Sequence, residues 1–238
     1  MQIINSNPNP QTGERMHLRL ERLRDPLLTV LTVMLAVLMF VVAPLQASGV
    51  LGAHWFGIGF GLVLVSAAFI VSRSATAIAI ILLAFALIVA ATVLRLWHPS
   101  VLDIYLDTSA WLITGMTLST VVARAVFAPG RVTFHRVIGA VLLYLNIGLT
   151  FVALYAFATL FVPKTFNGLP AVQDNLSFAS NLIYFSFVTL TSVGYGDIFP
   201  LHPFARSLAN IEAIIGQLYP ATLLARLVTL ELESRHNL

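Results

Sequence analysis

Residues 189–197 carry backbone groups that could bind a cation. They read Thr-Leu-Thr-Ser-Val-Gly-Tyr-Gly-Asp, so two glycines alternate with a valine and a tyrosine. Successive carbonyls can point to one side only if the backbone alternates in conformation, which glycine does at little steric cost because it lacks a Cβ atom. Such a row of oxygens, extended by a serine hydroxyl, could replace the hydration shell of an ion. The candidate ligands are Ser192, Val193, Gly194, Tyr195 and Gly196.

The sequence Ser-Val-Gly-Tyr-Gly at 192–196, followed by Asp197, resembles the filter signature of the tetrameric potassium-channel family. The family typically has Thr in the first position, so Ser192 keeps the hydroxyl and lacks a methyl group. The resemblance therefore implies potassium selectivity with a looser innermost site. A Gly-rich turn in an unrelated protein is the alternative, but the hydroxyls of Thr189 and Thr191 and the long apolar runs on both sides favour the filter.

The composition is that of an integral membrane protein rather than a soluble one. Hydrophobic residues make up 58% of the 238 positions, charged residues 10%, and the mean hydropathy is +0.91. The chain has no cysteine, and its six histidines and ten acidic residues show no catalytic or metal-ligand spacing. We therefore expect no enzyme activity and no cofactor, with K⁺ as a permeant ion. The basic residues lie scattered at the ends of apolar runs, which argues against a nucleic-acid partner.

Six apolar runs approach the length of about 20 residues that a membrane-spanning helix needs. A further apolar segment, 176–191, is too short to cross and immediately precedes the filter. Irregular backbone at membrane depth is tolerated only where protein or a water-filled pore surrounds it. The predicted fold is thus an all-α membrane protein with six transmembrane helices and a re-entrant pore helix and filter loop between helices five and six. The predicted spans are 26–44, 50–71, 75–97, 109–127, 137–161 and 204–228.

The chain divides into three predicted parts. Residues 1–25 form a cytoplasmic tail, whose charged end at 15–25 is predicted as a short helix on the membrane surface or, alternatively, as a plain basic anchor. Residues 26–128 resemble a four-helix voltage-sensor domain in layout, and residues 129–238 resemble a pore domain of outer helix, pore helix, filter and inner helix. The resemblance is strong in the pore domain only.

The basic residues predict a topology with both termini in the cytoplasm. With the amino terminus inside, ten of the thirteen Lys and Arg residues fall on the cytoplasmic side, and Arg95, Lys164 and Arg206 fall outside. This satisfies the positive-inside rule. It also places the carboxyl end of the filter outside, as the resemblance implies. We expect a plasma membrane, of the bacterial inner-membrane type, because the chain is compact.

The resemblance nominates residues that support the filter. Tyr184 and Phe185 stand where the family places aromatic residues that brace it, and the Tyr184 hydroxyl is a candidate partner for Asp197; simple packing is the alternative for both. Asp197 and Asp174 would form a negative ring at the outer mouth, which concentrates cations. Val188 occupies a position where some relatives have Glu, so a carboxylate pair with Asp197 is not expected.

The last apolar run carries a candidate gate. Gly216 follows Gly196 by 20 residues, a spacing that resembles that of the family's inner-helix hinge. Close helix packing is the alternative role for this glycine. Pro220, one turn later, removes a backbone hydrogen bond and favours a bend. By the same resemblance, Gln217 and Pro220 would line the cavity. The predicted cavity and gate residues are therefore Gly216, Gln217 and Pro220.

Glu212 is the one acidic residue well inside a predicted span, which makes it a functional candidate. One hypothesis is that it supports the filter from behind, through a hydrogen bond to Ser186, Thr189 or Asn146. The other is that it faces the water-filled cavity. The first is preferred because Glu212 lies on a different helix face from Gln217.

The first half of the chain lacks the charges of a voltage sensor. The fourth predicted span contains one arginine, Arg124, although steep gating needs several charges at about 2.3 kcal/mol per 100 mV each. We therefore expect weak voltage dependence. Arg124, Arg131 and Arg136 are predicted to contact lipid headgroups, with coupling to the gate as the alternative.

The sequence contains one copy of the filter motif, whereas a closed ring of carbonyls needs four strands. The expected assembly is a homotetramer around the pore axis, in contact with membrane lipids and conducting K⁺ passively. One alternative is a potassium-channel-like subunit that needs a partner or a stimulus to conduct. The other alternative is a potassium transporter subunit. Such chains carry several degenerate copies of the filter motif, whereas this sequence has one complete copy.

Overall fold

The computed structural model describes residues 28–51, 59, 63, 75–97, 101–127, 134–170 and 175–236. Over these ranges the chain is mostly helical, as predicted, with two strands of two residues each. The helices are α1 (Leu28–Ala47), α2 (Ala75–Trp97), α3 (Val101–Val126), α4 (Phe134–Phe161), α5 (Asn175–Leu190) and α6 (Pro203–His236). The strands are β1 (Phe166–Asn167) and β2 (Phe199–Pro200), which pair antiparallel.

Two helical segments among the described residues are long and apolar enough to cross a membrane, Leu28–Ala47 and Val137–Phe161. Shorter apolar stretches occupy Ile78–Ala91 in α2 and Ser177–Leu190 in α5. The predicted second span, 50–71, lies largely outside the described residues, as does the surface segment 15–25. Six spans and a re-entrant pore helix thus stay predictions.

Helix α1 packs against the pore half of the chain. Its buried stripe contains Leu31, Leu35 and Met39, spaced four residues apart as one helix face requires. Near its end the α1 residue Phe40 meets Phe187 of α5 edge-on, with ring centroids 5.0 Å apart. The first predicted span therefore shares a core with the pore helix.

Helices α3 and α4 approach each other closely through small and polar residues. The Asn146 amide of α4 donates hydrogen bonds of 2.7 Å to the Gly115 carbonyl and to Ser119 Oγ, both on α3. A Cβ atom at Gly115 would stand only 2.6 Å from the Thr150 hydroxyl. Small residues allow such close approach in apolar surroundings, and polar side chains then bridge the helices. The fourth predicted span is therefore fastened to the outer helix.

Three aromatic rings join α4, β1 and α5 into one core. Tyr155, Phe166 and Phe185 pack with centroids 5.0–5.5 Å apart, all near the edge-to-face geometry that aromatic pairs favour. Phe185 thus packs α5 against α4 and β1. The alternative prediction of simple packing describes this residue, because its ring contacts lie away from the filter.

Helix α6 begins with two recognisable signals. The His202 Nδ1 atom accepts a hydrogen bond of 3.2 Å from the Phe204 amide, and Pro203 occupies the first helical position, where its missing N–H is not needed. The helix then continues as one element through Gly216 and Pro220.

Candidate functional site

The filter segment begins where α5 ends, and the end of the helix fixes its first residue. The Val193 amide donates to the Val188 carbonyl at 2.9 Å, and the Ser192 amide donates to the Thr189 carbonyl at 2.9 Å. This pair of bonds is the Schellman arrangement, which terminates a helix with a residue in the left-handed conformation. Here that residue is Ser192, with φ of +58°. Glycine usually takes this position, so Ser192 is held in a conformation that costs about 1–3 kcal/mol.

The sign of φ alternates along the next residues. Ser192, Gly194 and Gly196 have φ of +58°, +59° and +82°, whereas Val193 and Tyr195 do not adopt positive values. Glycine allows the left-handed state at two of the three positions without strain. The alternating backbone that a row of carbonyl ligands requires is therefore present.

The filter segment is exposed along its length within one chain. The Val193 side chain is 52% exposed and the Tyr195 side chain 72%. The Tyr195 ring stacks on Tyr184 of α5, with centroids 6.3 Å apart and planes 2° from parallel. The Tyr184 side chain lies close to Asp197, and the hydrogen bond between them stays a prediction. Of the threonines before the filter, Thr191 binds the Phe187 carbonyl through its hydroxyl at 2.6 Å.

The outer end of the filter is clamped by the loop that follows α4. A Cβ atom at Gly168 would overlap the Asp197 carbonyl, so this glycine permits close backbone contact. The Leu201 amide donates to the Thr165 carbonyl at 2.9 Å, and strands β1 and β2 pair beside this bond. Asp174, the other predicted carboxylate of the outer mouth, lies outside the described residues.

Glu212 lies behind the filter, where its carboxyl group joins three helices. It is fully buried. Its Oε1 atom lies 2.5 Å from the Ser186 hydroxyl of α5, and its Oε2 atom accepts a hydrogen bond of 2.5 Å from the Tyr155 hydroxyl of α4. The predicted contact with Ser186 is therefore present. The alternative in which Glu212 faces a water-filled cavity is wrong, because no part of the side chain is exposed.

Two of the suggested Glu212 partners have other contacts, and one partner was missed. Asn146 bridges to α3, and Thr189 offers its backbone carbonyl to the Ser192 amide. Tyr155 was not predicted as a partner. The available signal was its hydroxyl in an apolar span, since a buried tyrosine usually finds a hydrogen-bond acceptor.

Gly216 packs directly against the end of the pore helix. A Cβ atom there would overlap the Leu190 carbonyl oxygen and would stand 2.7 Å from the carbonyl carbon. The close-packing alternative therefore describes Gly216 in this structure. Pro220 has no N–H group to donate to the Gly216 carbonyl four residues earlier. The helix therefore lacks one backbone hydrogen bond next to the contact between Gly216 and Leu190. A hinge at this pair stays a prediction.

Gln217, the next residue, reaches the filter itself. Its Nε2 atom donates a hydrogen bond of 2.9 Å to Ser192 Oγ. The sequence analysis predicted that Gln217 lines the cavity, which stays a prediction, and it missed this bond. The contact joins α6 to the innermost layer of candidate ligands.

The lower part of α6 contacts the end of α3. The Arg226 guanidinium donates to the Phe127 carbonyl at 2.7 Å and lies 5.0 Å from the centre of the Phe127 ring. Coupling to the gate was predicted, as an alternative role, for Arg124, Arg131 and Arg136. Arg124 is exposed, and the side chains of the other two lie outside the described residues. Arg226 was therefore a missed link between the two halves.

Comparison with known proteins places an ion-channel likeness on this same segment. Residues 140–232, from α4 through the filter into α6, match a family model described as "Ion channel". The match indicates an ion channel. With the two apolar helices, it also indicates a membrane protein rather than an enzyme.

Two curated relatives share a shorter segment with this chain. Protein LctB of Bacillus caldotenax is 41% identical over 58 residues, and Protein LctB of Geobacillus stearothermophilus is 40% identical over 58 residues. Each match covers 24% of this chain and 42% of the relative, so the chain spans less than half the length of these proteins. No solved structure matches the chain.

Proposed function

We propose that the protein is a potassium-selective channel that passes K⁺ passively through a pore formed by four copies of the chain. The observation that carries the proposal is the alternating sign of φ from Ser192 to Gly196, directly after the 16-residue helix α5. This backbone lies inside the segment that matches an ion-channel family. Carbonyl ligands in this arrangement replace the water around a dehydrated ion.

Potassium as the permeant ion is supported by the filter sequence. The resemblance to the potassium-channel signature includes both glycines and Tyr195, and the stacking of Tyr195 on Tyr184 gives the filter a lateral support. Asp197, at the outer end, lies close to the same Tyr184 side chain. These contacts restrain the width of the carbonyl row, on which discrimination between K⁺ and Na⁺ depends in one account of the family.

A homotetramer is supported by what a single chain leaves uncovered. One chain supplies one filter strand, and Val193 and Tyr195 keep most of their side chains exposed. Large apolar residues on α6 are also exposed in the single chain, among them Ile211, Ile214 and Leu218. Four copies around an axis would cover the filter side chains and close the ring of oxygens.

Weak voltage dependence is supported by the position of α3. The helix carries Arg124 as its one basic residue, and Asn146 fastens it to α4 through two hydrogen bonds. A helix held in this way does not slide through the membrane field. We therefore assign α1 to α3, with the predicted span 50–71, to a fixed scaffold around the pore, in a six-span chain with both termini cytoplasmic in a bacterial inner membrane.

The test is ion flux into liposomes that hold the purified protein, with Na⁺ in place of K⁺ as the paired measurement. Gly194→Asp should abolish K⁺ flux. Gly49→Asp is the matched control, because Gly49 also has a positive φ, +77°, with no atom near its Cβ position, yet it lies far from the filter in sequence.

The outcomes separate the proposal from its alternatives. Flux of K⁺ well above Na⁺, lost in Gly194→Asp and kept in Gly49→Asp, supports a self-sufficient selective channel. Equal K⁺ and Na⁺ flux contradicts potassium selectivity. No flux from a folded tetramer favours the alternative subunit that needs a partner or stimulus.

A further inference from the structure

A single side chain of the inner helix holds the hydroxyl of the first filter residue. Gln217 Nε2 lies 2.9 Å from Ser192 Oγ, a good hydrogen-bond distance for an amide donor. Both residues lie on the exposed side of the chain, where the proposed pore axis would run. The bond therefore acts at the inner end of the conduction path.

Serine makes this bond matter more than threonine would. A β-branched residue is stiff at χ1, whereas serine has free choice among staggered rotamers. The Ser192 backbone is already fixed, because its amide donates to the Thr189 carbonyl and its φ is +58°. Its hydroxyl direction is the remaining freedom, and Gln217 restrains it.

The close contact of Gly216 explains how Gln217 reaches the filter. Without a Cβ atom, Gly216 lets α6 lie against the Leu190 carbonyl at the end of α5. The next side chain along α6 then starts close to Ser192, only two residues beyond Leu190. A larger residue at 216 would move α6 away and lengthen the bond.

We propose that Gln217 is a positioning residue that sets the geometry and field of the innermost ion site through the Ser192 hydroxyl. A hydroxyl has one proton and two lone pairs. Gln217 occupies one lone pair, which leaves the other for the permeant ion and turns the proton away from it. The hydrogen bond from the Gln217 amide thus replaces the restraint on χ1 that a threonine methyl group would have given. This inference rests on the proposed potassium channel.

The experiment measures inhibition of K⁺ flux by Ba²⁺ and the ratio of Rb⁺ to K⁺ flux in the same liposomes. Ba²⁺ resembles K⁺ in size and carries twice the charge, so its binding reports the local field. Gln217→Leu removes the donor, and Gln217→Asn keeps the amide but shortens its reach. Thr222→Val is the control, because Thr222 is exposed on α6 and its hydroxyl donates to the Leu218 and Tyr219 carbonyls of the same helix.

We expect Ba²⁺ inhibition to weaken about fivefold in Gln217→Leu and Gln217→Asn, which corresponds to one lost hydrogen bond of about 1 kcal/mol. The Rb⁺ to K⁺ ratio should shift in the same variants, and Thr222→Val should match the wild type. A role in folding alone would lower the flux of both ions without shifting the Rb⁺ to K⁺ ratio.

The results distinguish failure of the inference from failure of the proposed function. A wild-type protein without K⁺ preference over Na⁺ overturns both. A selective wild type with unchanged Ba²⁺ inhibition in Gln217→Asn overturns the inference and leaves the channel intact. Where Gln217→Leu does not fold, Gln217→Asn decides the matter.

Discussion

The Ser186 hydroxyl lies 2.5 Å from Glu212 Oε1 and joins α5 to α6 at a point with no solvent exposure. The same hydroxyl lies 2.9 Å from the Gly148 carbonyl of α4. One hydroxyl proton cannot serve both oxygens fully. A neutral Glu212 would resolve this, because its own proton would be donated to Ser186, and Ser186 would then donate to Gly148. The Tyr155 hydroxyl donates to the other carboxyl oxygen of Glu212, Oε2.

Glu212→Gln is therefore expected to be well tolerated. The glutamine amide donates to Ser186 as the carboxylic acid does, and its carbonyl accepts from Tyr155. The free energy of unfolding of the detergent-purified protein should change by less than about 1 kcal/mol, with flux retained. Glu212→Leu should cost about 1–3 kcal/mol, because it leaves the buried Tyr155 hydroxyl without its acceptor, whereas Ser186 keeps the Gly148 carbonyl. A Gln variant as damaging as the Leu variant would show that the group is needed as a buried carboxylate.

Tyr155→Phe should weaken the same network from the α4 side. The change removes one donor and leaves Glu212 Oε2 unsatisfied, at a cost of about 1–3 kcal/mol. The aromatic packing with Phe166 and Phe185 is kept, so the loss reports the hydroxyl. Unfolding of the single variants and of Tyr155→Phe combined with Glu212→Leu gives a double-mutant cycle. Additive effects would contradict a shared network.

Gly216→Ala tests whether this glycine serves packing or only bending. The added methyl group would overlap the Leu190 carbonyl. We therefore expect the free energy of unfolding to fall by about 1–3 kcal/mol and the flux to drop strongly. Ala221→Ser adds one heavy atom at an exposed α6 position and is the control. A glycine needed only as a hinge would instead show altered flux with unchanged stability.

The filter and part of its support could be predicted from the sequence because few residue types satisfy their requirements. Only glycine takes positive φ freely, so the spacing of Gly194 and Gly196 predicts the alternating backbone. Glu212 and Ser186 could be paired because polar groups are scarce in apolar segments and must meet one another. The glycine argument needs only residue type and spacing, whereas placing Glu212 behind a filter also depends on the resemblance to the potassium-channel family.

The remaining contacts depend on distances that sequence patterns do not encode. Tyr155 lies 57 residues before Glu212, and nothing periodic connects them. Resemblance to a family assigned Gln217 to a helix face but not to a partner. The packing of Gly216 became visible only with the position of Leu190, which depends on how two helices cross. The bond of Arg226 to Phe127 likewise spans 99 residues.

The Arg226 contact with Phe127 predicts an effect on channel opening without an effect on selectivity. It lies far along α6 from the filter, at the end of α3, so it bears on the lower half of the inner helix. Phe127→Leu removes the ring beneath the guanidinium and keeps the carbonyl that accepts its hydrogen bond. An exposed cation–π pair contributes about 0.5–1 kcal/mol, which would change an open-to-closed ratio by about two- to fivefold. Single-channel recording in planar bilayers should show this change in open fraction with the same K⁺ to Na⁺ permeability ratio. A changed permeability ratio would instead place the contact in the support of the filter, and an unchanged open fraction would leave α3 without influence on the pore.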